Sequence, residues 1–113
     1  MSLSFETLNL NPSLIEGLAK QNITTPTTIQ AEAIPVILSR QDVIAQSHTG
    51  SGKTLAFVTP LFQLIDSSKR EMQVLILAPT HELVMQIDAQ IKLLAANSGE
   101  PVTSTTIIGG ANI

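Results

Sequence analysis

Ser47-His48-Thr49-Gly50-Ser51-Gly52-Lys53-Thr54 follows the short apolar run of residues 42–46 and opens a helical pattern. A strand that turns through glycines into a helix is a place where a triphosphate is held. Gly50 and Gly52 let the backbone take positive φ and approach a phosphate with no Cβ in the way, so successive N–H groups can point at the anion. The helix that follows adds the positive end of its dipole. In this arrangement Lys53 reaches the β and γ phosphates and the Thr54 hydroxyl enters the coordination shell of Mg²⁺. The strict phosphate-loop pattern begins with glycine, where this chain has Ser47. The match is to the core of the motif.

The 113 residues amount to one small domain at most, with 43% apolar residues and only three aromatics, all phenylalanine. Such a chain reads as an aliphatic, well-buried globular unit, not a disordered one. It has no cysteine, which excludes a disulfide framework or a thiolate zinc site and points to a reducing compartment. No apolar stretch approaches the roughly 18 residues of a membrane span, and no signal peptide is visible, so the cytoplasm is the compartment that fits. Net charge is −3 and the six basic residues are scattered. The basic footprint that drives nucleic-acid affinity by counterion release is missing, so any nucleic-acid contact of this piece alone is expected to be weak.

Asn11 before Pro12 starts a first helix, with a side-chain cap and a ring already set at helical φ; Leu14, Ile15 and Leu18 share a face, and the stop lies near Asn22. A second helix begins around Thr27 after Pro26 and runs through Ile29, Ala33 and Ile34 to about Leu38, with a kink expected at Pro35. Residues 42–46 read as a buried strand. From Lys53 to about Ile65 a helix carries Leu55, Phe57, Val58, Leu61, Phe62 and Ile65, with Pro60 inside it leaving the Ala56 carbonyl unpaired. The run Val74-Leu75-Ile76-Leu77 within 73–78 is of the kind shown by parallel strands buried on both faces. Thr80 then caps a long helix with the stripe Leu83, Val84, Ile87, Ile91 and Leu94, ending near Ser98-Gly99. Residues 102–108, rich in β-branched side chains, form a third strand before Gly109-Gly110. The order is βαβαβ, an α/β fold with a parallel sheet, right-handed crossovers and a ligand at the carboxyl ends of the strands.

The loop has company. Upstream stands Thr25-Pro26-Thr27-Thr28-Ile29-Gln30, with Phe5 twenty-five residues before Gln30; downstream stand Pro79-Thr80-His81-Glu82-Leu83 with Gln86, and then Gly109-Gly110. In this order the four elements resemble the first half of the N-terminal RecA-like domain of DEAD-box ATP-dependent RNA helicases. The resemblance covers about residues 5 to 110, so that 1–113 reads as an incomplete RecA-like P-loop domain. It divides into a Q-motif region at 5–30, a P-loop region at 42–66 and a Pro-Thr-x-Glu-Leu region at 73–98.

The resemblance implies roles. A glutamine can pair both atoms of an adenine edge, and the family uses the residue matching Gln30 for that purpose. The side chain matching Ile23 stacks on the base and the one matching Phe5 supports the pocket. Ser47, His48, Thr49, Gly50, Ser51, Gly52, Lys53 and Thr54 hold the phosphates, with Thr54 on Mg²⁺, and Pro79, Thr80, His81, Gly109 and Gly110 line the RNA backbone path. The chain departs from the family at several of these positions. Ile23 stands where an aromatic is usual, which forgoes stacking worth about 1–3 kcal/mol and predicts modest adenine affinity. His81 replaces an arginine and gives up a permanent charge and a bidentate fork, leaving the backbone N–H groups of Thr80 and Gly110 as charge-free phosphate donors. His48 and Ser47 replace glutamine and alanine.

The acidic motif for which the family is named, its serine-alanine-threonine motif and the second RecA-like lobe do not occur in these 113 residues. Lys53 supports phosphoryl transfer, but no catalytic base is present. The fragment is therefore expected to bind ATP without turning it over, while a full-length parent hydrolyses ATP coupled to RNA unwinding. In RecA-like sheets the strand before the phosphate loop lies between strands of the later half. Here its open edge predicts either an edge-paired or element-swapped dimer or a breakdown product of a longer protein. Met1-Ser2-Leu3 reads as an appended leader. Two other readings are a different P-loop NTPase, which leaves Gln30 and its distance from Phe5 unexplained, and an ATP-binding module without catalysis.

Overall fold

The computed structural model describes residues 4–46 and 52–107. The phosphate-loop positions Ser47, His48, Thr49, Gly50 and Ser51, and Gly109 and Gly110 with the end of the third expected strand, lie outside the described residues.

Four α-helices carry the fold: α1 (Pro12–Ala19), α2 (Thr28–Leu38), α3 (Lys53–Leu64) and α4 (His81–Ser98), preceded by a 3₁₀ turn at Phe5–Leu8. Pro12 opens α1 as expected, but the Asn11 side chain makes no cap bond. The N–H it would receive, that of Leu14, is already held by the Asn11 carbonyl at 3.0 Å in a tight turn. Asn11 is instead fixed from outside: its N–H donates to Gln63 Oε1 at 2.7 Å while Gln63 Nε2 donates to the Asn9 carbonyl at 2.8 Å. The chain leaves α1 through Asn22 at φ 63°, the left-handed conformation asparagine tolerates. Pro35 and Pro60 both lie within continuous helices, α2 and α3. The long helix α4 starts at a Thr80 side-chain cap and stops at Gly99, φ 75°.

Helix α2 packs on α3, α1 packs on α4, and α3 also touches α4. One core joins them, built from Phe5, Leu8, Leu10, Leu14, Leu18, Ile34, Leu55, Val58, Phe62, Ile87 and Leu94. It is mainly aliphatic, with Phe5 and Phe62 its two aromatic members, and rests on close packing. Helices α1 and α4 approach closely at Gly17, where an added Cβ would lie 3.0 Å from the Cβ and backbone N of Ser98. Lys20 Nζ bonds the Asn97 carbonyl at 2.9 Å on the same seam, and Ser13 Oγ bonds Glu100 Oε1.

Among the described residues, the segments of the expected sheet, 42–46, 73–78 and 101–107, carry neither helix nor strand. Along 73–78 and 101–107 exposure alternates residue by residue, the period of a chain laid extended on a surface. Ile76, Ala78 and Val102 turn onto the core, while Leu75, Leu77 (86% exposed) and Ile107 face out. The expectation for 73–78 was burial on both faces, and only one is covered. Residues 42–46 are exposed throughout, with Ile44 97% exposed. A partly buried polar tie holds the last segment: Ser104 Oγ donates to Asp88 Oδ1 at 2.6 Å, and Lys92 Nζ pairs with Asp88 Oδ2 at 2.7 Å.

Candidate functional site

Thr27 sits just before α2 in an extended conformation and its hydroxyl accepts from the Gln30 backbone N–H at 3.4 Å; in return the Thr27 N–H donates to Gln30 Oε1 at 2.9 Å. This is a complete capping box, the Thr-x-x-Gln pattern in which two orphan helix donors are satisfied reciprocally. It brings the Gln30 side chain back toward the helix start and into the interior, where the residue is 2% exposed.

The other end of the Gln30 amide crosses to α3. Its Nε2 donates to the Gly52 carbonyl at 3.2 Å, joining residues 22 apart in sequence. The two partners settle the amide's orientation, since a backbone N–H must face oxygen and a carbonyl must face nitrogen. The same Gly52 carbonyl receives the Ala56 N–H at 3.1 Å, the first rung of α3. Gly52 has φ 84° and ψ 24°, which glycine reaches without strain. A Cβ there would stand 2.5 Å from Gln30 Nε2 and 3.2 Å from Thr27 Oγ1, so the contact also requires glycine for space.

Lys53 and Thr54 follow directly as the first two residues of α3, Lys53 exposed and Thr54 half-buried. The end of the phosphate loop and the glutamine expected to read a base therefore meet at one point, Gly52. A glycine with positive φ, an exposed lysine and a hydroxyl on the first turn of a helix suit a phosphate chain. For Mg²⁺ the one hydroxyl of Thr54 fits as a single ligand, the pattern of an ion that takes its remaining oxygens from phosphates and water. Among the described residues no cluster of three or more His, Asp or Glu side chains is placed to hold a metal.

The turn that carries Phe5 packs on α2. Phe5 is 2% exposed and belongs to the core with Leu8 and Leu10. Ile23 is half-buried against the same core. Pro79, Thr80 and His81 are exposed together at the start of α4, where the Thr80 hydroxyl accepts from the Leu83 N–H at 3.1 Å.

Three features were not anticipated from sequence. The Thr27-Gln30 capping box is written in the sequence as Thr-x-x-Gln. Asp88, buried and bonded by Lys92 and Ser104, has its carboxyl held below the usual carboxylate range, first by the Lys92 hydrogen bond and then by that of Ser104, against a weaker opposing cost of burial. Its only sequence signal was the Asp88-Lys92 spacing of four. The Gln63 bridge to Asn9 and Asn11 had none.

Among known proteins the chain is 40% identical over 110 residues to the ATP-dependent RNA helicase DBP9 of Coccidioides immitis (strain RS), covering 92% of this chain and 18% of that protein. It superposes with a TM-score of 0.83 on the crystal structure of a DEAD box protein from the hyperthermophile Methanococcus jannaschii, at 30% identity over 99% of this chain and 31% of the other. The RNA helicase Prp28 from Chaetomium thermophilum, bound to ADP, gives a TM-score of 0.84 at 36% identity, over 98% of this chain and 28% of that one. The chain thus spans about a fifth to a third of the length of these proteins. The DEAD/DEAH box helicase family model matches residues 27–113, from the capping threonine to the end of the chain. With the Thr27-Gln30-Gly52 junction at its centre, the chain belongs to the DEAD/DEAH box helicases.

Proposed function

We propose that these residues form the nucleotide-holding first half of the N-terminal RecA-like lobe of an ATP-dependent RNA helicase. In the parent, ATP hydrolysis drives local unwinding of RNA duplexes. The observation that carries the proposal is the meeting of Gln30 with Gly52, one residue before Lys53 and Thr54. In this reading residues 5–30 form the adenine side, 42–66 the phosphate side and 73–98 part of the RNA path. Ser47, His48, Thr49, Gly50, Ser51, Gly52, Lys53 and Thr54 hold the phosphates and Thr54 supplies one ligand to Mg²⁺, which neutralises charge on the phosphate oxygens when bound. Pro79, Thr80, His81, Gly109 and Gly110 meet the RNA backbone. Gln30 retains one N–H and one oxygen lone pair beyond its bonds to Gly52 and Thr27, the donor and acceptor that an adenine edge requires. Residues 42–46, 73–78 and 102–108 take up parallel strands in the complete lobe, in keeping with the one-sided burial of the latter two and the likeness to complete DEAD-box structures.

The test is equilibrium binding of ATP and GTP, with Mg²⁺, to the 113-residue chain. ATP is expected to bind more tightly, and Lys53→Ala is expected to abolish binding of both. Equal affinities would sink adenine reading, and unchanged binding by Lys53→Ala would sink the phosphate site. With RNA added, the chain alone is expected to release no phosphate, because no residue in it activates the attacking water.

A further inference from the structure

Two extended segments flank α4, 73–78 leading into it and 101–107 leaving it, and both lay alternate residues on the helices. Ile76, Ala78 and Val102 pack on the core, and Ser104 bonds Asp88 of α4. In extended chain the residues between point the other way, so Leu75, Leu77, Thr103, Thr105 and Ile107 turn away from the helices. Beside α2 and α3 the segment 42–46 does the same: Val43 and Ala45 border the gap to Ile29, Ala33 and Ala56, while Ile44 is 97% exposed. Leu75 is 68%, Leu77 86% and Ile107 66% exposed. Together these four apolar side chains expose on the order of 600 Å², the upper end of what a monomer shows in its largest patch. With the exposed Gln73, Thr103 and Thr105 the outward surface reaches on the order of 800 Å², one side of a standard protein interface.

Charge says what can cover this surface. Residues 73–78 and 101–107 contain no charged side chain, although the whole chain carries −3, so two copies of the surface can meet with no like charges opposed at its centre. The charges stand at the ends of the segments and in both signs: Arg40 and Asp42 at the start of one, Lys69, Arg70 and Glu71 at the start of the next, all exposed. An apolar centre with a rim of mixed sign is complementary to itself about a two-fold axis, which sets the same patch of one copy on that of the other. Extended chain on both sides allows the two faces to stack about 10 Å apart, as packed sheets do. We infer that the 113-residue chain forms a two-fold dimer in which a second copy covers Ile44, Leu75, Leu77 and Ile107. The inference does not rest on the nucleotide reading, and it leaves Met85 and Leu93, exposed on α4, outside the interface.

The test is sedimentation equilibrium of the 113-residue chain from about 1 to 100 μM, a range that reaches the weakest affinities of interfaces this size. A mass twice the 12.0 kDa of one chain is expected. Leu77→Lys, which sets an unpaired charge in the apolar centre, is expected to weaken dimerisation about ten-fold or more, with the helical circular dichroism unchanged because Leu77 is so largely exposed in the single chain. Met85→Lys, on α4, is expected to leave the dimer as it is. A wild type that stays a single chain at the highest concentration overturns the inference, and so does a mass that climbs without limit, which is open-ended aggregation and not a closed pair. Dimerisation untouched by Leu77→Lys, or broken by Met85→Lys alone, places the interface elsewhere and overturns it equally. A measurement on the wild type needs no variant to fold. The fluorescence per chain of the apolar dye anilinonaphthalene sulfonate is expected to rise as the protein is diluted through its dissociation range and the covered faces come apart, and a constant signal would mean that the apolar face is not what the dimer buries.

Discussion

Thr27 and Thr80 stand before α2 and α4 in the same extended conformation, and each lends its hydroxyl to the N–H three residues on. The third residue separates the two starts. At α4 it is Leu83, which packs its side chain on the core and gives nothing back to the cap. At α2 it is Gln30, which returns a bond to the Thr27 N–H and reaches on to Gly52. One start only ends a helix; the other joins two helices at Gly52. A polar side chain inside an aliphatic protein is costly unless each end is satisfied, and Gln30 is buried where both ends are.

The comparison breaks most severely at Gly52. Gly52→Ala demands a left-handed alanine and drives a Cβ against Gln30 Nε2, so it is expected to destabilise by about 2 kcal/mol or more and to abolish nucleotide binding. Gly99→Ala, at the far end of α4, has a similar φ but nothing within 4 Å of the added carbon, and is expected to cost about 1 kcal/mol. Chemical denaturation of the two variants measures the difference, and equal losses would mean that the Gln30 contact adds nothing. The caps give a smaller contrast. Thr27→Ala is expected to cost about 1–2 kcal/mol and Thr80→Ala about 0.5–1 kcal/mol, because only the former leaves a reciprocal partner behind.

Acid sharpens the α4 side. The Asp88 carboxyl is held below its ordinary value of 3.8 in the folded chain, so its tie to Lys92 and Ser104 contributes fully above that pH. The contribution fades as pH falls through the lower folded value. Ser104→Ala is expected to raise the pH midpoint of acid unfolding followed by circular dichroism, with little change at pH 7 in the Thr27-Gln30-Gly52 junction. The smallest effect belongs to Lys92→Ala, about 0.3–0.5 kcal/mol at low salt, since Lys92 is 65% exposed and its pair with Asp88 is an ordinary helical i,i+4 contact.

The four helices were legible because their apolar residues recur at helical spacing and because their ends are written in residues with one local meaning: Pro12, Asn22, Thr27, Thr80 and Gly99. The ladders were not, since pairing depends on what covers each face of a segment, and Val74-Leu75-Ile76-Leu77 cannot say that only every second residue will be covered. At the site, glycine, lysine and threonine at 52–54 announced a phosphate, and Gln30 a base. That Gln30 would bond Gly52 depended on α2 packing against α3, a contact absent from either local sequence. For Phe5 the chain order could not say that the ring would be buried in the core with Leu8 and Leu10. Gln63 could not be read at all, because its partners Asn9 and Asn11 lie more than fifty residues away.

Gly17 against Ser98 bears on the birth of the molecule. The two positions touch across 81 residues of chain, so the main packing partner of α1 is incomplete until the last turn of α4 exists. At about 5–20 residues per second of synthesis, α1 waits roughly 4–16 seconds with Leu14 and Leu18 exposed before its partner has even been made. Position 17 must stay small to permit the final docking, so a bulky residue there is expected to leave α1 and α2 synthesised on schedule and the protein caught before closure, a substrate for chaperones.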